Sequence, residues 1–225
     1  HLSLRRQRQM CIRDSLQSLL TKPRTAAQLQ QLTDAECLSE FSKKIFQSGF
    51  VWSVVEKKWP GFEEVFFGFE PEKMLLMSDE MLAAKATDPR IIRNATKVFA
   101  IRDNALMIQQ VADKYGSFGA FLAQWPGEDI IGLWGYLKKH GSRLGGNTGA
   151  YALRMLGKDT FIISQDVEAY LRNFGVVEGG LSSQRNQKAI QQQFNQWQQE
   201  SGLSLQEISK VVAFSCGDNY VGMKT

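Results

Sequence analysis

The stretch Leu144-Gly-Gly-Asn-Thr-Gly-Ala-Tyr-Ala-Leu153 decides the fold. Its glycines permit a tight turn in which backbone N–H groups come close to a ligand, and a helix is expected to follow from Asn147. A second helix is expected before the turn, so residues 130–157 predict two helices joined by a glycine hairpin. Basic residues flank the turn: Lys138, Lys139, His140 and Arg143. Such a hairpin holds a phosphate through backbone N–H groups and reads no base. The glycines alone fit an ordinary helical corner with solvated lysines at least as well.

Most of the remaining chain also has apolar residues at helical spacing. Helices are expected at about 25–33, 33–47, 51–59, 70–77, 78–85, 91–115, 117–124, 128–140, 147–156, 166–173, 182–200 and 204–215. Thr33 and Glu36 form a capping-box pattern, and Pro60-Gly61 is expected to stop the helix that begins at Val51. No alternating strand pattern occurs, so the sequence predicts an all-α fold.

Composition limits the class of protein. With 225 residues, 43% of them hydrophobic, the chain can bury a core as one domain or two small lobes. Three cysteines without a CxxC pair argue against a disulfide framework and against an evident zinc site. No apolar run approaches the roughly 20 residues that span a bilayer. The sequence therefore predicts a soluble protein of a reducing cytoplasm, with no membrane association.

The first fifteen residues, His1 to Ser15, resemble a translated sequencing adapter and are excluded from the expected domain, which covers residues 16–225. They hold four arginines and one aspartate, so the rest of the chain is nearly neutral, with 23 basic and 22 acidic residues. Any nucleic-acid contact must therefore come from a local patch. A native basic arm is the alternative interpretation of these residues.

The hairpin region resembles the helix-hairpin-helix superfamily of DNA base-excision glycosylases. In that resemblance Gly146 is a hairpin glycine, and Thr148 takes the position where bifunctional members keep a Schiff-base lysine. Asp166 falls on the catalytic aspartate, and no lysine occurs between Lys139 and Lys158. The resemblance therefore implies a monofunctional glycosylase without lysine-based strand cleavage.

A second resemblance covers residues 35–175. The stretches Phe46-Gln-Ser-Gly-Phe-Val-Trp52, Glu56-Lys-Lys-Trp-Pro-Gly-Phe-Glu-Glu-Val-Phe66 and Arg90-Ile-Ile-Arg-Asn-Ala-Thr-Lys97 are similar to the 3-methyladenine DNA glycosylase I family. The likeness implies two helical lobes flanking a cleft and hydrolysis of the N-glycosidic bond of an alkylated purine such as 3-methyladenine. The implied partner is double-stranded DNA with a damaged base. A monomer that acts in the bacterial nucleoid without a cofactor is expected.

The chain departs from that family in three ways. The best-known members carry a zinc site, whereas the candidate ligands beyond the tail are only Cys37, Cys216 and His140, so no metal is expected. Those members recognise the base with a glutamate eight residues before the tryptophan, where this chain has Lys44. A lysine is unfavourable for a cationic methylated adenine. They also lack a catalytic aspartate, whereas this chain has Asp166.

These patterns give one set of site predictions. Asp166 is the catalytic candidate, because an ionised carboxylate stabilises an oxocarbenium-like sugar. The base-pocket candidates are Lys44, Gln47, Phe50 and Trp52. The candidates for the DNA backbone are Gly145, Gly146, Asn147, Thr148, Gly149, Arg93, Lys97, Lys138, Lys139 and Arg143.

Plainer roles remain open for several of these residues. Asp166 also suits the first turn of a helix, Phe50 and Trp52 suit a core, and the basic pair at 93 and 97 suits a solvated face. Two further functions stay open for the whole chain. One is a helix-hairpin-helix DNA-binding module that has lost its chemistry, and the other is a helical protein-interaction domain.

Overall fold

The computed structural model describes residues 20–216, so the tail of residues 1–15 lies outside the described residues. All regular structure in the described range is helical, with no strand, which confirms the all-α prediction. The chain divides into two compact units. The larger unit comprises Arg24–Lys158. Among the described residues, the smaller unit comprises residues 20–23 and 159–216. That two lobes flank a cleft stays a prediction.

The larger unit contains nine α-helices. They are α1 (Ala26–Gln30), α2 (Asp34–Gln47), α3 (Trp52–Val65), α4 (Pro71–Leu75), α5 (Asp79–Lys85), α6 (Ala95–Tyr115), α7 (Phe118–Gln124), α8 (Ile130–His140) and α9 (Asn147–Leu156). Two short 3-10 turns, Phe67–Phe69 and Gly127–Asp129, complete the unit.

Helices α2 and α6 form the centre of this unit. Helix α6 packs on α2, α4, α5 and α7, and α9 packs on α2. The shared core is formed by fully buried apolar side chains that include Leu38, Phe41, Ile45, Val98, Ile101 and Ile108. Each such side chain contributes about 1.5–3 kcal/mol when it is buried. Leu106 of α6 lies outside this core and is 49% exposed.

Helix α2 begins with the capping box that the sequence predicts. The Thr33 hydroxyl accepts from the Glu36 backbone N–H at 3.1 Å, and the Glu36 carboxylate accepts from the Thr33 N–H at 2.8 Å. The next residue, Asp34, accepts from the Phe118 N–H at 2.7 Å. The start of α2 is therefore tied to the start of α7.

Helix α3 corrects one prediction, because it continues through Pro60-Gly61 to Val65. The proline removes one helical hydrogen bond, but the helix is held by its buried aromatic face, where Trp59 stacks on Phe62 at 4.9 Å. Gly61 serves packing rather than termination. A Cβ there would lie 2.6 Å from the Arg90 carbonyl oxygen.

The smaller unit contains α10 (Gln165–Asn173), α11 (Gln184–Ser201) and α12 (Leu205–Ser215). Its core includes Phe161 stacked on Phe194 at 4.0 Å. Asp159 accepts from the backbone N–H groups of Leu205 and Gln206 at 3.1 and 2.9 Å, and so stabilises the N-terminus of α12. Across residues 20–216, no helix is both long and apolar enough to cross a membrane.

Candidate functional site

Helices α8 and α9 are joined by a glycine hairpin over residues 141–146. Gly146 has φ 59° and ψ −142°, near a backbone region that is essentially restricted to glycine. At Gly149, a Cβ would collide with the Leu144 carbonyl oxygen. The two glycines thus serve different purposes, since one shapes the turn and the other allows α9 to approach it closely.

A buried side chain from α6 fixes this hairpin. Asn104 is fully buried, its Nδ2 donates to the Ser142 carbonyl at 3.0 Å, and its Oδ1 accepts from the Ser142 N–H at 2.8 Å. No role was predicted for Asn104. The available signal was an amide on the otherwise apolar face of α6.

The N-terminus of α9 has the features of an anion site. Its N-cap residue, Gly146, provides no side chain, and no side-chain hydrogen bond caps the helix. Helix N-termini carry unsatisfied N–H groups and a positive dipole end, which favour a bound phosphate. Lys138, Lys139 and Arg143 are exposed beside this hairpin.

A cavity of about 200 Å³ lies where this helix meets α2 and α3. It is lined by Lys44, Gln47, Ser48, Gly49, Trp52, Asn147, Thr148 and Tyr151. The structure therefore brings three predicted pocket residues together with two predicted hairpin residues. Phe50 does not line this cavity. Tyr151, which had no predicted role, meets the Trp52 ring edge-on at 5.8 Å.

The wall of the cavity contains a chain of polar side chains. Lys44 Nζ donates to Gln47 Oε1 at 2.8 Å, and Gln47 Nε2 donates to Glu56 Oε1 at 2.8 Å. The Lys44 ammonium also lies 3.5 Å from Glu40 and 4.9 Å from the centre of the Trp52 ring. Burial raises the pKa of Glu40, and the charges of Lys44 and Lys43 oppose that rise. Both ends of the Gln47 amide are thus engaged within the protein.

Lys97 requires a correction. It was expected beside Arg93 on an exposed face, but only 5% of it is exposed. Its Nζ donates to the Ser48 carbonyl at 2.6 Å and to the Phe46 carbonyl at 3.3 Å, and it lies 4.9 Å from the Phe50 ring centre. Burial, together with the charge of Arg143, lowers the pKa of Lys97. This side chain supports the C-terminus of α2 and is buried rather than exposed beside Arg93.

Asp166 lies in the smaller unit, in the first turn of α10 behind the N-cap Ser164. It is half-buried. This position is compatible with both roles considered for it, the catalytic one and the helix-dipole one. Arg93 is exposed and precedes α6.

Three other observations concern residues outside this cavity. In the larger unit, a groove of about 520 Å³ is lined by residues that include Glu36, Glu40, Lys43 and Glu63, and it contains none of the predicted site residues. Within residues 20–216, no group of three or more His, Cys, Asp or Glu side chains is arranged to hold a metal ion. Burial raises the pKa of the Cys37 thiol, which stays protonated in the core.

Comparison with known proteins points to one family. The family model described as Methyladenine glycosylase matches residues 30–140. The solved 3-methyladenine DNA glycosylase I from Staphylococcus aureus, studied for 3-methyladenine recognition, is 25% identical with a TM-score of 0.50, and the match covers 56% of this chain and 77% of that one. A variant of 3-methyladenine DNA glycosylase I in complex with 3-methyladenine matches at 25% identity and a TM-score of 0.50, over 55% and 77% of the two chains.

A more distant structure shares the fold over most of the chain. The Methanocaldococcus jannaschii 8-oxoguanine glycosylase/lyase, in complex with a 15mer DNA containing 8-oxoguanine, is 15% identical with a TM-score of 0.50, covering 91% of this chain and 90% of that one. No curated protein matches the chain.

Proposed function

The chain belongs to the methyladenine glycosylase family, and we propose that it is a monofunctional DNA glycosylase that hydrolyses the N-glycosidic bond of an alkylated purine such as 3-methyladenine. The observation that carries the proposal is the 200 Å³ cavity, where Trp52 and Gln47 meet the N-terminus of the hairpin helix. The Staphylococcus aureus protein that recognises 3-methyladenine has the same fold at 25% identity.

The substrate is double-stranded DNA with a damaged base. The uncapped N-terminus of α9 and the exposed Lys138, Lys139 and Arg143 bind the backbone, while the damaged nucleotide rotates out of the duplex. This rotation costs a few kcal/mol of stacking and pairing. Inside the cavity, the Trp52 ring stacks on the extruded base. The protein acts as a monomer in the bacterial nucleoid and uses no cofactor.

The reaction needs stabilisation of a positively charged sugar and a positioned water. An alkylated base is a good leaving group, so the C1′–N bond breaks with its electron pair on the base, and the water oxygen bonds to C1′. By the resemblance to the helix-hairpin-helix superfamily of glycosylases, Asp166 stabilises the oxocarbenium-like transition state electrostatically. Thr148, rather than a lysine, lies at the position of the Schiff-base amine, so no lyase step follows.

The test is single-turnover excision from duplexes that carry 3-methyladenine, 7-methylguanine, hypoxanthine or ethenoadenine. The wild type should excise at least one of them, and Asp166→Asn should lower that rate at least tenfold with duplex binding retained. Asp103→Asn, at an exposed position of α6, is the matched control and should act like the wild type. Wild-type inactivity on the whole panel refutes the glycosylase. Normal excision by Asp166→Asn refutes only the role of Asp166.

Lys44 in place of the family glutamate favours a second candidate, a DNA-binding module without chemistry. It predicts duplex binding that weakens steeply with salt, since counterions are released from phosphates, together with no excision. Binding that is insensitive to salt and to substitution of Lys138 and Lys139 would instead indicate a protein-interaction domain.

A further inference from the structure

The cavity has an unusual charge for a site that receives a cationic base. Of the eight described residues that line it, Lys44 is the one with a charged side chain, and no carboxylate is among them. Only 6% of Lys44 is exposed, so solvent screens its charge little. A cationic base in this cavity meets an ammonium without a lining carboxylate to balance it.

Lys44 can only donate hydrogen bonds, whereas the hydroxyl and amide side chains of this wall both donate and accept. A lysine ammonium has three donors and no acceptor. One of them is directed to Gln47 at 2.8 Å, and the ammonium forms an ion pair with Glu40 at 3.5 Å, which leaves the ammonium with further hydrogen-bonding capacity. Gln47 uses its oxygen for Lys44 and its nitrogen for Glu56. The wall therefore has a donor to offer, while the one side-chain acceptor of Gln47 is already engaged.

Glu40 does not reverse this polarity. It lies 3.5 Å from the ammonium, but it lines the separate 520 Å³ groove rather than the cavity. Its carboxylate is therefore a counterion for Lys44 and is not presented to a base.

We infer that the cavity selects an uncharged modified purine with acceptors on its edge, and that Lys44 is a catalytic residue that stabilises this base as it leaves. Ethenoadenine and hypoxanthine have such edges, whereas 3-methyladenine in DNA is a cation. The inference rests on the proposed function and specifies its substrate class.

The chemistry explains why a neutral base needs this lysine. When the C1′–N9 bond breaks, the electron pair leaves with the base, and a neutral lesion becomes an anion. The Lys44 ammonium donates a hydrogen bond to that anion. Water supplies the hydroxyl group to C1′, and its remaining proton ends on the base, so Lys44 is unchanged at the end of the cycle.

The experiment compares single-turnover excision rates on ethenoadenine, hypoxanthine and 3-methyladenine duplexes. The wild type should cut the neutral lesions faster than 3-methyladenine. Lys44→Met keeps the aliphatic stem and should slow neutral lesions by roughly 10- to 100-fold, as expected for the loss of a hydrogen bond to a charged group. Its rate on 3-methyladenine should not fall, and Lys44→Glu should shift the preference towards that base.

Lys57→Glu is the matched control, because it makes the same charge change at an exposed position of α3 outside the cavity. It should leave the ratio of rates unchanged. Faster wild-type excision of 3-methyladenine, or an equal loss on all three lesions in Lys44→Met, overturns the inference.

Binding of free bases separates this inference from the proposed function. By calorimetry, 9-methylhypoxanthine should bind the wild type more tightly than the permanently cationic 3,9-dimethyladeninium, and Lys44→Met should remove the difference. If no lesion is excised, the proposed function and the catalytic role of Lys44 fail together, while this binding ratio still decides the selectivity of the cavity. Tighter binding of the cation by the wild type overturns that selectivity.

Discussion

Replacing Lys97 by methionine removes the support beneath the C-terminus of α2. The Lys97 ammonium donates to the Ser48 carbonyl at 2.6 Å and to the Phe46 carbonyl at 3.3 Å. Hydrogen bonds to charged groups contribute about 1.5–3 kcal/mol each, and the cost of burying the ammonium offsets part of that sum. The free energy of unfolding should therefore fall by about 2–4 kcal/mol, because methionine fills the space of the stem but leaves both carbonyls without a donor.

The assay is urea unfolding followed by circular dichroism, with duplex binding measured at several salt concentrations. Arg93→Met is the matched control, because Arg93 lies four residues earlier and is exposed. It should leave stability unchanged and reduce the slope of log affinity against log salt by about 0.9, the value for one lost phosphate contact. Lys97→Met should leave that slope unchanged.

Two results refute this reasoning. One is a Lys97→Met variant whose stability lies within about 0.5 kcal/mol of the wild type, the range of ordinary surface changes. The other is a loss of salt dependence in Lys97→Met as large as in Arg93→Met, which would make Lys97 a phosphate contact after all.

Three further outcomes are expected. Gly146→Ala should lose about 1–3 kcal/mol in urea unfolding from backbone strain alone, since nothing lies within 4 Å of the added methyl, and it should weaken duplex binding for every sequence. Gly135→Ala, at a position of α8 that has equal space but no positive φ, is its control. Asn104→Ala should cost about 2–4 kcal/mol, because it leaves the Ser142 N–H and carbonyl unpaired, and should weaken duplex binding in an anisotropy titration. Hydrogen bonds from Arg90 hold the pKa of Asp88 near about 2, below its ordinary value of about 3.9. The wild type should therefore be more stable than Asp88→Asn above about pH 4. This difference in the free energy of unfolding should disappear as the pH falls towards about 2 in acid titrations.

Local patterns allowed much of the fold to be predicted. The Thr33 capping box, the end of α8 at His140 and the start of α9 at Asn147 depend on neighbouring residues only, and the structure confirms them. The prediction that the helix stops at Pro60 was wrong, because burial of the aromatic face of α3 outweighs the cost of a proline within the helix. That burial depends on tertiary contacts, which local patterns do not contain.

The error at Lys97 has a similar origin. Spacing placed it one helical turn from Arg93, but α6 begins at Ala95, so the two residues do not share a helical face. The partners of Lys97 also lie about 50 residues away in sequence, beyond the reach of any local pattern.

The cavity was predicted in part. The family resemblance identified Lys44 and Gln47 by their spacing from Trp52, and both residues line the cavity. Tyr151 was missed although a signal existed, because it lies three residues after Thr148 and four after Asn147, on the same face of α9. The contact of Asn104 with the hairpin spans 38 residues, so the amide on the apolar face of α6 indicated a buried polar group but not its partner.

Three buried lysines of the larger unit, Lys44, Lys97 and Lys158, differ in what holds their ammonium groups. Lys97 donates to two backbone carbonyls at the end of α2, and Lys158 donates to those of Leu122 and Trp125, at 2.7 and 2.6 Å, at the end of α7. Helix ends have carbonyls that lack an N–H partner, so withdrawing either ammonium leaves buried acceptors unsatisfied. Lys44 instead contacts side chains, and these can rotate to new partners when a ligand enters. Substitution of Lys97 or Lys158 should therefore change the free energy of unfolding, whereas substitution of Lys44 should change the choice of base.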